Sequence, residues 1–203
     1  MNSFDTKGYF IIDDFLDLED AKIFQEFFLN ANNWIKYEQA HDGSYGKGKY
    51  GKYNCNFEGF PTEKEWYFAK FWRSKQLENE IEDTYRRLFS NKLSNLTNTN
   101  LGNFDIRCNK LQIGDHYRIH NDGWQSDIGC VYFVNDDWLW DWGGILHMKI
   151  EDTIESIIPR FNRLVVFNNM KFNTFHWVSP VTDWAKYERY SLICFNSEDD
   201  KNV

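Results

Sequence analysis

The stretch YRIHND, residues 117–122, sets His120 and Asp122 one residue apart, just ahead of the almost wholly apolar run GCVYFVN. In a β-strand, residues i and i+2 project from the same face, so this imidazole and this carboxylate can converge on one spot. Taken alone, such a pair is most simply a buried His–Asp hydrogen bond. Two later residues change the balance. His176, in NTFHWVSPV, places a second imidazole in another short β-like run, and Arg189 heads the otherwise apolar RYSLICF. Arginine is seldom buried without a partner. At the inner end of a core strand, Arg189 calls for a planar anion to receive its forked donors.

Two imidazoles and one carboxylate on one side of a metal ion leave three coordination positions open, which is the donor set of non-haem Fe(II) oxygenases. Zinc more often takes four tetrahedral ligands, frequently with Cys. None of Cys55, Cys108, Cys130 and Cys194 is spaced to join this set. A dicarboxylate bound to the metal at one end and to Arg189 at the other would satisfy both demands.

The rest of the chain must position these groups. Its 203 residues fit one domain, and 42% hydrophobic with 19% aromatic residues supply a large core without structural disulfides or metal. The net charge of −8 disfavours nucleic acid and anionic membrane as main partners. Three of the four cysteines lie in apolar runs, as reduced core thiols do. The N-terminus MNSFDTKGYF has no basic segment followed by an apolar stretch, and no window approaches the ~18 apolar residues of a membrane span. These features lead us to expect a soluble, cytoplasmic protein.

GYFIIDDFL (8–16) reads as a strand. An amphipathic helix follows from about Leu18 to Ala31, with Asp17 placed to cap it and Ala21, Ile23, Phe24, Phe27 and Phe28 on its apolar side. Residues 41–60 read as a Gly-, Lys- and Tyr-rich loop or irregular hairpin, solvated or serving as a lid. Thr62, with Glu65 as a capping box, opens a helical stretch to about Lys92. Short β-like runs then occupy 104–113, 117–122, 127–134, 145–150, 163–168, 175–181 and 189–196. The expectation is one domain over 1–203, an α+β fold with a mainly β core. Helix-rich support spans 1–100, and the antiparallel sandwich or barrel covers about 104–196.

On these residues the second half resembles the prolyl-hydroxylase-like branch of the Fe(II)/2-oxoglutarate-dependent dioxygenases. GDHYRIHND is similar to that family's Gly-x-x-Tyr-x-x-His-x-Asp, with Gly114 and Tyr117. GGIL (143–146) and IPRFNRLVVF (158–167) resemble its later segments, and GYFIIDDFLDLEDAKIF is similar to its strand–helix opening. The resemblance implies a double-stranded β-helix (jelly roll) and three cofactors or cosubstrates: Fe(II), 2-oxoglutarate and O2. It implies His120, Asp122 and His176 as metal ligands, and Arg189 with Ser191 on the distal carboxylate of 2-oxoglutarate. Tyr117 either reaches that cosubstrate or packs. The implied reaction is hydroxylation of a peptidyl or free amino acid, or a similar small substrate, with release of succinate and CO2.

Leu111 and Phe133 stand where relatives carry tyrosines, and Phe133 weakens the case for a protein-prolyl substrate. Asp122 favours hydroxylation over halogenation, since the related halogenases replace that carboxylate with a small residue. The alternatives are a non-catalytic jelly-roll binding module retaining a metal site, and a cupin-type metal enzyme. His41 and His116 read as solvated, and His147 as a satisfied strand histidine. Trp138, Trp140 and Trp142 read as a strand-period set in the core or on the sheet surface, and Trp177 as facing away from the metal.

Overall fold

The computed structural model describes residues 8–40, 67–99, 101–120, 122, 128–150, 152–168 and 174–198. The loop expected at 41–60, Cys55, His41 and the Thr62/Glu65 capping box lie outside them. In chain order the elements are β1 (Tyr9–Ile12), α1 (Leu18–Asn30), β2 (Ile35–Ala40), β3 (Tyr67–Arg73), α2 (Lys75–Tyr85) and α3 (Asn91–Thr97). They continue as β4 (Leu101–Leu111), β5 (His116–His120), β6 (Ile128–Phe133), β7 (Leu146–Ile150), β8 (Thr153–Ile157), β9 (Arg163–Asn168), β10 (His176–Val178) and β11 (Arg189–Glu198). A π-helical turn, Arg86–Ser90, joins α2 to α3.

The strands form one curled antiparallel sheet in the order β1-β9-β6-β11-β4-β3-β5-β10-β7-β8, with β2 pairing to β3. The fold is thus mainly β with a few helices, consistent with the expected jelly-roll core. β3 joins the two halves, pairing Arg73 with Asn109 of β4 and Ala69 with Tyr117 of β5. Each face of the β1-β9-β6-β11-β4 half has its own cover. Alternate residues Cys130 and Tyr132 pack outward with Cys108, Leu192 and Cys194 under the helices. Val131 and Phe133 point inward with Leu111, Val165 and Phe167. That double burial explains why GCVYFVN reads as a continuous apolar run rather than an alternating one.

The helices are held by short apolar stripes. Ala21, Phe24 and Phe28 supply the buried side of α1, while Ile23 is exposed and Phe27 only partly buried. Asp17 occupies the cap position of α1 but makes no side-chain cap bond. In α2, Leu77, Ile81 and Tyr85 lie four residues apart and fill the same core. Its first turn is closed by Ser74, whose Oγ accepts from the Leu77 N–H.

The sheet corrects two readings. Residues 67–73 form a strand, so the helical stretch expected from Thr62 begins instead at Lys75. Trp138, Trp140 and Trp142 do not alternate along a strand. Trp140–Trp142 is a 3-10 turn, with Trp138 and Trp142 buried and Trp140 exposed. No helix among the described residues is long and apolar enough to cross a membrane.

Candidate active site

Strand register brings the distant histidines together. His120 ends β5, His176 opens β10, and the two are direct partners in the antiparallel pair. Their rings lie 4.3 Å apart between centroids. Asp122, just beyond β5, turns its carboxylate toward both, with Oδ2 3.2 Å from His176 Nε2 and Oδ1 3.8 Å from His120 Nε2. One ligand atom from each of the three residues falls within 4.8 Å of the others, and all three residues are buried. Phe167 stacks flat on His176 at 4.9 Å and fixes that ring from the core side.

The tautomers decide what this cluster fits. His120 Nδ1 faces the Arg118 carbonyl, and His176 Nδ1 faces the Thr174 carbonyl at 3.0 Å. A carbonyl only accepts, so each Nδ1 carries a proton and each ring turns its Nε2 toward the Asp122 carboxylate. A buried carboxylate facing two Nε2 atoms calls for positive charge at their focus, supplied by a metal ion or, without one, by a proton on His176 Nε2. Burial, reinforced by neighbouring His176, pushes His120 down to about 4, so this imidazole stays neutral. Burial pulls His176 down too, but Asp122 outweighs it and the net shift is upward. Burial raises the Asp122 carboxyl, yet the charge and hydrogen bond of His176, with smaller help from His120 and Arg107, bring it below its ordinary value. Two neutral imidazoles and a carboxylate sharing one focus suit a divalent metal of the first transition row.

Arg189 occupies the same cavity, about 330 Å³, as the three clustered residues. It heads β11, pairs in register with Leu111 of β4, and is only 2% exposed. Its Nη1 donates to Ser191 Oγ at 3.2 Å, its guanidinium lies 4.9 Å over the Phe133 ring, and its Nε has no partner among the described residues. Burial pulls its pKa down to about 10, opposed by Tyr117. A buried, under-satisfied guanidinium is a ready receptor for a carboxylate. Beside it the Tyr117 hydroxyl accepts from Asn109 Nδ2 at 2.7 Å and so keeps its own proton to donate. Burial raises the Tyr117 pKa, so the phenol stays protonated.

Residues 106–196 match the family model of the 2OG-Fe(II) oxygenase superfamily. Over this stretch, just under half of its length, the chain is similar to that superfamily. Solved structures agree on the fold of the oxygenase. A Pseudomonas putida prolyl-4-hydroxylase aligns with TM-score 0.67 at 16% identity, covering 97% of this chain and 96% of that one. A prolyl hydroxylase from Trichoplax adhaerens, solved with a hypoxia inducible factor oxygen degradation domain peptide fragment, aligns with TM-score 0.64 at 18% identity, covering 96% and 85%. The non-heme alpha ketoglutarate dependent epimerase SnoN from nogalamycin biosynthesis aligns with TM-score 0.60 at 11% identity, covering 94% and 78%. Comparison with curated proteins gave no significant match. The match implies an oxygenase that uses Fe(II), 2-oxoglutarate and O2, and the donor set just described fits such a metal.

The expected site residues therefore share one cavity, apart from Trp177, which stacks on His147 at 5.1 Å, away from the metal face as read from the sequence. Sequence reasoning passed over Asn109, Arg107, Arg73, Phe71 and Tyr37, which also line it. The signal was present in DIRCNKL, where Arg107, Asn109 and Leu111 recur at period two and so share a face. A separate groove of about 360 Å³ lies between α1 and the start of α2. Its acidic residues, Glu26 and Glu80, are exposed, and it holds no such cluster.

Proposed function

We propose that this chain is an Fe(II)- and 2-oxoglutarate-dependent hydroxylase acting on a peptidyl or free amino acid or a similar small substrate, with residues 1–203 working as one domain. His120, Asp122 and His176 hold the metal. Arg189 and Ser191 hold the distal carboxylate of 2-oxoglutarate, and Tyr117 donates a further hydrogen bond to it. The observation that carries the reading is the shared cavity: three convergent ligand atoms occupy the same space as a buried guanidinium with an unpaired Nε.

Each residue then has a distinct task. The carbonyls of Arg118 and Thr174 hold the two imidazoles in the tautomer that presents Nε2. Asp122 supplies negative charge that neutral histidines lack. Arg189 and Ser191 fix the cosubstrate's far end, and the surrounding Leu146, Val131 and Ile193 keep bulk water from the reacting centre. When bound, Fe(II) and 2-oxoglutarate supply the oxidising chemistry, with succinate and CO2 released and one oxygen atom delivered to a substrate C–H bond. The amino-acid class of substrate draws support from the peptide in the Trichoplax complex, and the retained Asp122 favours hydroxylation.

Anaerobic addition of Fe(II) and 2-oxoglutarate should give the weak visible charge-transfer band of their chelate, and a substrate panel should stimulate succinate release with a product heavier by one oxygen. A band that survives Asp122→Ala and His176→Ala unchanged would sink the ligand assignment. Substrate-stimulated turnover without oxygen gain would instead point to another outcome on the same fold, such as epimerisation.

A further inference from the structure

The charge of the cavity is opposite to that of the molecule. The chain carries a net charge of −8, yet Arg73, Arg107 and Arg189 line the cavity and, among the described residues, Asp122 is the one carboxylate on its wall. Arg189 and Asp122 are already used by the hydroxylase reading. Arg73 is held by the buried carboxylate of Glu78 in α2, which its Nε and Nη2 both engage, the latter at 2.9 Å. Arg107 is held only by an exposed carboxylate.

Arg107 lies on β4 two residues before Asn109, in register with Ile193 of β11, and its guanidinium carbon lies over the Phe195 ring, 4.4 Å from its centre. Its Nε and Nη2 both turn to Asp105 Oδ2 at 3.0 Å, on a side chain that is half-exposed and outside the cavity wall. Among the described residues nothing pairs with its Nη1. The guanidinium is thus held rigid from one edge and stacked on one face, which leaves its other edge as a second fork of donors. Arg189 pairs with Leu111, four residues along β4 from Arg107 and so roughly 13 Å away on strand geometry. A five-carbon diacid clamped at Arg189 does not span that separation.

An aromatic wall lines the same cavity between Arg107 and the clustered histidines. Tyr37 stacks on Phe71 at 5.4 Å and 8°, and Phe71 stacks on Tyr117 at 5.0 Å and 23°. The faces lead from β2 toward the clustered histidines. Such a wall favours a flat or apolar body over a polar peptide backbone.

Resting on the hydroxylase reading, we infer that Arg107 is the substrate's anion anchor and that the substrate is a small carboxylic acid with a flat or apolar body lying along Tyr37 and Phe71. The carboxylate takes the open edge of Arg107, and the body reaches inward so that a C–H bond points at the metal. This assigns specificity to a residue outside the metal and cosubstrate set.

The test uses acid and amide pairs: 3-phenylpropionate with 3-phenylpropanamide, and hippurate with its amide. Each is titrated calorimetrically into the whole chain, loaded anaerobically with Fe(II) and saturating 2-oxoglutarate so that Arg189 is occupied. At least one acid should bind about tenfold or more tightly than its amide, as a charge-assisted hydrogen-bonded pair gives. Arg107→Gln should abolish that preference while the charge-transfer band and the 2-oxoglutarate affinity stay within about twofold. Arg107→Lys, which keeps the charge and loses the fork, should retain part of the preference and guards against a folding artefact. Acids binding no better than amides, or a preference that survives Arg107→Gln with the band intact, would overturn the inference alone. Absence of the band in the wild-type protein would defeat the underlying hydroxylase reading instead.

Discussion

His176 Nε2 sits 3.2 Å from Asp122 Oδ2 while its Nδ1 is committed to the Thr174 carbonyl, so Nε2 is the atom left to meet the carboxylate or a shared cation inside the core. If the focus is a metal site, Asp122→Ala should abolish metal-dependent stabilisation. Thermal melting with and without Mn(II) or Fe(II) checks this. The wild type should gain several degrees with metal and lose them on chelation, and the variant should show no metal response. A large loss of metal-free stability in the variant would mark the trio as a structural ion pair.

Arg189 makes the opposite bargain to a stabilising core residue. It is 2% exposed, its Nε is unpaired, and burial pulls its pKa down to about 10. Arg189→Met should therefore leave the unliganded protein as stable as the wild type or more so. The same variant should weaken 2-oxoglutarate on the order of a hundredfold, as expected when a buried charged partner is removed from a carboxylate. Titration of the charge-transfer band and a thermal melt read the two effects separately.

Tyr117 and Asn109 form a hydrogen-bonded pair in which Asn109 Nδ2 is the donor, and Asn109 Oδ1 has no partner. Tyr117→Phe strands a second polar atom of Asn109 and should cost about 1–2 kcal/mol in chemical denaturation. Since the phenol keeps a proton to donate, 2-oxoglutarate affinity should fall with it. An unchanged affinity beside the stability loss would leave Tyr117 a packing residue.

Most of the catalytic half was legible because its evidence is local. The two-residue spacing of His120 and Asp122 already brought them together, although Asp122 lies just beyond the strand that His120 ends, and turn residues marked seven runs that became strands. Three strands were missed for identifiable reasons. YFAKFWR leads straight into a helix capped by Ser74, so the charges that follow disguise its period. IKYEQA and TIESI are short and polar, and β2 and β8 each pair with a single neighbour at the margin of the sheet. The walls of the cavity were harder still. Arg107 and Phe71 reach the cavity through cross-strand register, which depends on pairings more than thirty residues apart in sequence and not on any local pattern.

β1 is tied to β9 by a charge pair whose pH response can be signed. Asp13 accepts from Arg163 Nε and Nη2, and this bonding, assisted by Arg160 and opposed by burial, lowers its pKa. A carboxyl depressed on folding stabilises above its unfolded value and loses that contribution as pH falls through the folded one. Asp13→Asn should therefore lower the melting temperature near pH 7 and converge with the wild type at strongly acid pH. Because Asp13 is largely solvated, the difference at neutral pH should be small.

The Gly143–Gly144 turn sets the position of Arg189. Both residues adopt positive φ, +66° and +60°, where a Cβ is disfavoured. The spaces around them differ in consequence. A Cβ on Gly143 would meet the Pro180 carbonyl oxygen at 2.0 Å, a clash with backbone that only a shift of the 179–182 segment relieves. A Cβ on Gly144 would meet Arg189 Cδ at 2.9 Å, a side-chain atom that can move. Gly143→Ala should therefore be the more destabilising, by several kcal/mol, through loss of packing around Val181 and Trp142. Gly144→Ala should fold, with a penalty of about 1–2 kcal/mol for its strained φ. It should also push the guanidinium off the Phe133 ring and out of line with the cosubstrate. The expected signature is a 2-oxoglutarate affinity reduced at least tenfold while metal-dependent stabilisation persists, since the ligand trio lies on other strands. Equal loss of both responses would mean that the turn supports the whole cavity and does not act through Arg189.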